Sequence, residues 1–169
     1  DLQQMLNTLL NGGIENAVME ISSHAISFHR ADDVEVDVGV FTNLTPEHLD
    51  YHNTLDEYFK TKNKLFQSLD KSKVCIVNID DKYSKKIVST TKASIITYSL
   101  KDKADIYAIN YNLSIDGTDA ELSILGKKYL LKSKLIGEFN LYNMFAAIGA
   151  SIQYGINPKD IITSINKFD

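Results

Sequence analysis

The stretch Val36-Asp37-Val38-Gly39-Val40-Phe41-Thr42-Asn43-Leu44-Thr45-Pro46-Glu47-His48-Leu49-Asp50-Tyr51-His52 decides how this chain is read. Its first six residues place β-branched bulk at 36, 38 and 40 and predict a buried strand over Val36–Phe41. A dense run of hydroxyl, amide, carboxylate and imidazole groups follows at once. Thr54 then stands where it can cap a helix, Glu57 is third after it, and Tyr58, Leu65, Phe66 and Leu69 give that helix an apolar face. Strand, polar turn and helix form the repeating unit of α/β sheets. Polar groups at the end of such a strand lie on the edge where open parallel sheets bind ligands.

Outward from this centre the same rhythm recurs. Upstream, Leu2, Met5, Leu6, Leu9 and Leu10 have helical spacing, and Gly12-Gly13 ends that helix. Ala17–Ile21 reads as a second buried strand, closing on the cluster Met19-Glu20-Ile21-Ser22-Ser23-His24. Downstream, strands are predicted at Val74–Asn78 and Ser94–Tyr98 with a short helix over Asp81–Val88 between them. From about residue 105 the pattern changes. Ile106–Leu113, Ala120–Leu125 and Lys128–Leu131 are separated by turn signals at Asp116-Gly117 and Gly126 and predict a small antiparallel meander. Helices at Leu141–Tyr154 and Lys159–Lys167 follow, with Asn157-Pro158 as the turn between them. The expected fold is α/β: a mostly parallel sheet flanked by helices, carrying a small antiparallel β meander.

Composition narrows the function classes. A chain of 169 residues is long enough for one domain with its own core. Eighteen basic against 22 acidic residues give a net charge of −4, so no electrostatic footprint for nucleic acid is present. The apolar runs are too short to span a bilayer, no membrane insertion is expected, and no signal peptide is visible. Cys75 is the sole cysteine and lies within Val74-Cys75-Ile76-Val77; an intramolecular disulfide is impossible, and a buried thiol in a reducing cytoplasm is expected. The sequence opens at Asp1 within a helical pattern and stops at Asp169, which reads as an excerpt of a longer protein.

The residue types admit several chemistries. Glu20, at a strand end, can hold Mg²⁺ through hard carboxylate oxygens or can cap the next turn. His48 and His52 are four apart, which on a helix is the spacing of a zinc pair, although Pro46 leaves little helix before His48. Lys62 lies on a helix with Tyr58 and Phe59 before it and Leu65-Phe66 after it, so its stem can rest on apolar surface or in solvent. Arg30 is suited to a substrate carboxylate and equally to the neighbouring Asp32 and Asp33. Asn140 and Asn143 present donor and acceptor together, as an adenine edge requires, and Asn140 is also a natural helix cap.

Taken together, Met19–His24, Phe41–His52 and Gly137-Glu138-Phe139-Asn140-Leu141-Tyr142-Asn143-Met144-Phe145-Ala146-Ala147 resemble the signatures of the Mur ligases, within them the tripeptide synthetase type. The resemblance implies the central, P-loop-NTPase-like ATPase domain of a three-domain enzyme. It implies ATP and Mg²⁺ as cofactors, with Glu20, His48 and a carbamylated Lys62 as metal ligands and Lys62 and His48 as catalytic residues. Ser22 and Arg30 are implied as contacts to UDP-MurNAc-L-Ala-D-Glu, and Asn140 and Asn143 as contacts to adenine. The implied reaction adds a diamino acid through an acyl phosphate, in the bacterial cytoplasm. Two positions depart from the family wording: Phe28 stands where Gln is frequent, and Glu47 where Asp is commoner.

No G-x-x-x-x-G-K-[ST] loop occurs in the sequence. By the resemblance that loop, the UDP-binding N-terminal domain and the C-terminal domain that selects the amino acid belong to the longer protein, and this piece alone is expected to be inactive. Three other readings stay open from residues alone: a sister ligase such as a folylpolyglutamate synthetase, a metal hydrolase on His48 and His52, and a non-catalytic binding module.

Overall fold

The computed structural model describes residues 2–46, 52 and 54–168. Helices α1 (Leu2–Asn11) and α2 (Ser23–Ser27) precede strand β1 (Val38–Phe41). There follow α3 (Leu55–Ser68), β2 (Val74–Asn78), α4 (Ser84–Thr90) and β3 (Ser94–Ser99). The meander is β4 (Ile106–Ser114), β5 (Gly117–Ile124) and β6 (Lys127–Ser133), and α5 (Glu138–Gln153) and α6 (Pro158–Lys167) complete the order.

All six strands join one sheet in the order β1-β2-β3-β4-β5-β6. The first four run parallel and the last three are paired antiparallel. Every residue of β2 is buried, the pattern of a parallel strand covered on both faces. Val74 and Ile76 pack with Tyr98, Ile106, Leu141 and Phe145 in a core that also takes α6, through Ile161 and Ile162. Cys75 and Val77 point the other way, into a core built with Phe41, Tyr58, Phe66 and Ile87 from β1, α3 and α4. The result is a three-layer α/β/α arrangement.

Local chemistry accounts for the helix starts. Thr54 Oγ1 accepts from the Glu57 amide at 3.2 Å, so α3 is capped as its sequence predicts. Asn157 Oδ1 accepts from the Lys159 amide at 2.9 Å, and Pro158 fills the first position of α6, where an amide would have no partner. At α5 the cap is Gly137, whose φ of 91° lies in the region that favours glycine, and no side chain bonds there.

One expectation is corrected. Ala17–Ile21 forms no strand; residues 17–20 are exposed and irregular. A strand exists only where a neighbour completes its ladder, and this segment faces a cleft of about 990 Å³ that separates it from the free edge of β1. The expected antiparallel meander is present as β4–β6, and it continues the main sheet through the pairing of Tyr98 and Ser99 of β3 with Ile106 and Tyr107 of β4. The short helix α2 was not foreseen; it forms because Ser22 caps it, its Oγ accepting from the Ala25 amide at 3.1 Å.

Cys75 is fully buried and its thiol is pushed up to about 12 by burial, in line with an inert core residue. Gly149 marks the closest approach of α5 to the sheet. A Cβ there would lie 2.9 Å from Ile76 Cγ2 and 3.4 Å from its Cδ1. Gly149→Val is therefore expected to destabilise the fold by about 1–3 kcal/mol through overpacking, read as a lower urea midpoint at unchanged m-value.

Candidate functional site

The carboxyl ends of β1, β2 and β3 and the first turns of α5 enclose a pocket of about 220 Å³. Thr42 and Asn43 enter it from β1, Asn78 and Asp80 from β2, and Lys101 from the segment after β3. Phe139 and Tyr142 form the aromatic wall, with Asn143 beside them. The larger cleft along β1 shares Thr42, Asn43 and Asn143 with this pocket. Its floor carries the small side chains Ala146, Ala147 and Ala150 of α5, and Lys62, Leu65 and Phe66 of α3 line it as well.

Three polar residues at the end of β2 fix this edge. Asn78 is buried; its Nδ2 donates to the Thr42 carbonyl at 2.7 Å and its Oδ1 accepts from the Asp80 amide at 3.0 Å. Asp80 Oδ1 accepts from Ser99 Oγ at 2.6 Å, and its Oδ2 accepts from the Leu100 amide and the Tyr142 hydroxyl, both at 2.8 Å. Asp81 Oδ2 accepts from the Leu44 amide at 2.9 Å and its Oδ1 from the Tyr83 amide at 2.8 Å. Burial pushes the Asp80 carboxyl up, but the bonds from Ser99, Leu100 and Tyr142, aided by Lys101, outweigh it and hold the group below its ordinary range. Burial and the bond to Asp80 together raise the Tyr142 phenol.

This edge belongs to a sheet whose residues 1–151 match the Mur ligase middle domain model. The chain belongs to the Mur ligase family. It is 40% identical over 156 residues to UDP-N-acetylmuramoyl-L-alanyl-D-glutamate–2,6-diaminopimelate ligase of Caldanaerobacter subterraneus subsp. tengcongensis, covering 92% of this chain and 32% of that protein. The ligase of the same name from Geobacter metallireducens is 38% identical over 167 residues, covering 95% and 33%. A solved structure of a ligase of that name superposes with a TM-score of 0.90 at 30% identity, covering 99% of this chain and 35% of that one. The Mur ligase MurF of Thermotoga maritima, solved with ADP, shares the fold at a TM-score of 0.70 and 17% identity, covering 83% and 32%. The chain spans about a third of the length of the curated relatives it matches.

In this Mur ligase middle domain the residues read from sequence fall into two groups. Glu20 and Lys62 line the same cleft, with Lys62 half-buried and its Nζ 5.5 Å from the Tyr58 ring centroid. Asn143 is exposed where cleft and pocket meet. Asn140 is turned back: its Nδ2 donates to the Ile136 carbonyl at 2.9 Å, tying the start of α5. Ser22 and Arg30 line neither cavity. Arg30 is exposed and follows His29, whose φ of 56° turns the chain sharply; its guanidinium lies 5.4 Å over the Phe28 ring. Phe28 thus supports Arg30 by cation–π contact at the position where the family often has Gln.

His48 lies outside the described residues. His52 is buried and stacks on Tyr58 at 5.1 Å between centroids, with the His24 ring 6.2 Å away. That places His52 in ring packing, and among the described residues no group of three or more His, Cys, Asp or Glu is arranged to hold a metal ion. Family membership displaces the hydrolase reading. Sequence reasoning missed Asn78, Asp80 and Asp81, although two adjacent carboxylates directly after a buried strand were a legible signal.

Because the Asp80 carboxyl titrates below its ordinary value of 3.8 when folded, its contribution to stability is present above that value and is lost as pH falls through the folded one. Asp80→Asn is expected to be less stable than the parent chain near neutrality and to show a shallower loss of stability below about pH 4, measured by urea denaturation across pH.

Proposed function

We propose that this chain is the nucleotide-binding middle domain of an ATP-dependent ligase that joins 2,6-diaminopimelate to UDP-MurNAc-L-Ala-D-Glu. The observation that carries the reading is identity of 35–40% over nearly the whole chain to ligases named for that reaction. Supporting it, the pocket and cleft lie at the carboxyl edge of a parallel sheet, where such folds bind nucleotides. ATP would phosphorylate the D-glutamate carboxyl, and the amine would displace phosphate from the acyl phosphate to give amide, ADP and phosphate.

Each residue then has a role on this chain. Asn143, with Phe139 and Tyr142, would bound the adenine, and Asn140 would hold the helix start that presents Asn143. Arg30 would meet a substrate carboxylate as its guanidinium rests on Phe28, with Ser22 at the adjoining cap. Glu20 presents an exposed carboxylate on the cleft shared with Lys62, a donor of the oxygen type that Mg²⁺ takes. Bound Mg²⁺ would neutralise charge as two polyanions are brought together. The phosphate-loop strand of the whole protein would lie in the cleft between residues 15–21 and the free edge of β1, and the reaction would take place in the cytoplasm. Among the described residues no helix is long and apolar enough to cross a membrane.

The direct test is phosphate release by the full-length protein. It is expected only when ATP, UDP-MurNAc-L-Ala-D-Glu and diaminopimelate are all present. Release that ignores the diamino acid, or that occurs equally with a folate acceptor, would overturn the assignment.

Lys62 is proposed to work as a carbamate. Its amine would take up CO₂ with loss of a proton, forming an N–C bond and turning a cation into an oxygen-donor anion. Lys62→Ala in the full-length enzyme is expected to cut kcat by at least about a hundredfold, with partial rescue by millimolar short carboxylates. A fully active Lys62→Arg enzyme would return Lys62 to a helix charge resting on Tyr58.

A further inference from the structure

We propose that Asn78-Ile79-Asp80-Asp81 is a positioning element that sets the nucleotide-binding helix α5 and the signature loop after β1 independently, each through its own carboxylate. The inference rests on the nucleotide-binding role proposed above and adds residues to which that role assigns nothing.

The geometry separates two arms that leave a single turn. The Asp80 arm reaches Tyr142 in the second turn of α5, 62 residues along the chain, and binds the β3 terminus at Ser99 and Leu100 with the same carboxylate. Ser99 Oγ in turn accepts from the Lys101 and Asp102 amides at 2.9 and 2.8 Å, so the lip of the pocket that carries Lys101 is held through Asp80. Tyr142 is one residue from Asn143, and rotation or lift of that turn would move the Asn143 amide with it. The Asp81 arm runs the other way, to the Leu44 amide, just after Thr42 and Asn43 of the pocket wall. Asn78 braces both: it holds the Thr42 carbonyl from within the core and fixes the turn by accepting from the Asp80 amide.

On each carboxylate both oxygens are engaged by protein donors at the pocket edge. Asp80 receives three bonds and Asp81 two, one of the latter from the Tyr83 amide in the turn that leads into α4. Charge-assisted bonds of this length fix geometry as well as contributing stability. The chemistry matches a brace between segments that must keep a set spacing while nucleotide enters and leaves.

The test uses the full-length protein with Tyr142→Phe, Asp80→Asn, Asp81→Asn and the double variant Asp80→Asn with Tyr142→Phe. Tyr142→Phe removes one hydroxyl and keeps the ring of the pocket wall. It is expected to raise KM for ATP about fivefold to tenfold, leaving kcat and KM for the UDP-linked substrate within about twofold. Asp80→Asn added to Tyr142→Phe should cost less in ATP KM than Asp80→Asn added to the wild type, because the two changes share the Asp80–Tyr142 bond. Asp81→Asn should lower kcat with little change in ATP KM. Amide hydrogen exchange supplies a readout independent of activity: Tyr142→Phe should speed exchange at Leu100 and in the first turns of α5 but not at Leu44, and Asp81→Asn the reverse. Uniform acceleration across both arms, additive effects of the Asp80 and Tyr142 changes, or an unchanged ATP KM in Tyr142→Phe would overturn the inference. A wild-type enzyme without ATP-dependent ligation would instead sink the functional reading, and the exchange pattern would still decide whether the two arms are independent.

Discussion

The fold depends on one strand having no free face. All of Val74–Asn78 is buried, so helices must cover the sheet on both sides of it, and the alternation of Val74 and Ile76 against Cys75 and Val77 divides the interior into two cores. Hydrophobic burial of this kind has no direction of its own. Direction enters where the strand ends, because Asn78 is the first polar side chain in the run and cannot be buried without partners. Its bonds to Thr42 and to the following turn convert an apolar layer into an edge with defined positions. Asp80 and Asp81 then extend that edge to β3, α5 and the loop after β1.

Sequence periodicity identified most of this architecture because most elements are decided locally. β2, β3, α3 and α6 match the predicted spans to within one or two residues, and the caps at Thr54 and Asn157 form as their residue types require. Ala17–Ile21 fails for a reason no local pattern contains. Its β-propensity is real, but a strand is a relation between neighbours, and across the cleft there is no ladder for it to join. The meander shows the converse: its turns were legible, yet its parallel junction to β3 is a tertiary fact, fixed by Asp105, whose Oδ2 accepts from the Thr97 amide at 2.8 Å and from its hydroxyl at 2.7 Å.

The candidate site divides along the same line. Glu20, Lys62 and Asn143 are named from sequence and converge on one cleft, Glu20 from the segment before α2, Lys62 from the middle of α3 and Asn143 from the second turn of α5. Asn140 and Asn143 were one motif in the sequence, but three residues apart at the start of a helix they do different work. Asn140 closes the turn and Asn143 faces the cavity. Asn78, Asp80 and Asp81 were missed because their significance lies in partners up to 62 residues away. Ser22 and Arg30 lie beyond both cavities, on the α2 segment, where a substrate larger than a nucleotide would have to reach them.

The charge balance of the edge has a consequence for how a nucleotide can be held there. Asp80 and Asp81 stand on the small pocket and Glu15, Glu20, Asp33, Glu35 and Asp37 on the cleft, against Lys101 and Lys62 as the cations lining them among the described residues. A triphosphate brings further negative charge into this surrounding, and a carbamate on Lys62 would remove one of the two cations. The adenine end can be bound by amide edges and aromatic walls, which are neutral, but the phosphate end needs positive charge or backbone amides from elsewhere. Binding by this domain would therefore be divided, with base recognition built into α5 and its braces and phosphate recognition depending on Mg²⁺ and on the strand proposed for the cleft. Such a division favours braces made of engaged carboxylates: both oxygens of Asp80 and of Asp81 accept from amides or hydroxyls, so they hold the edge in place with part of their charge already directed at the protein.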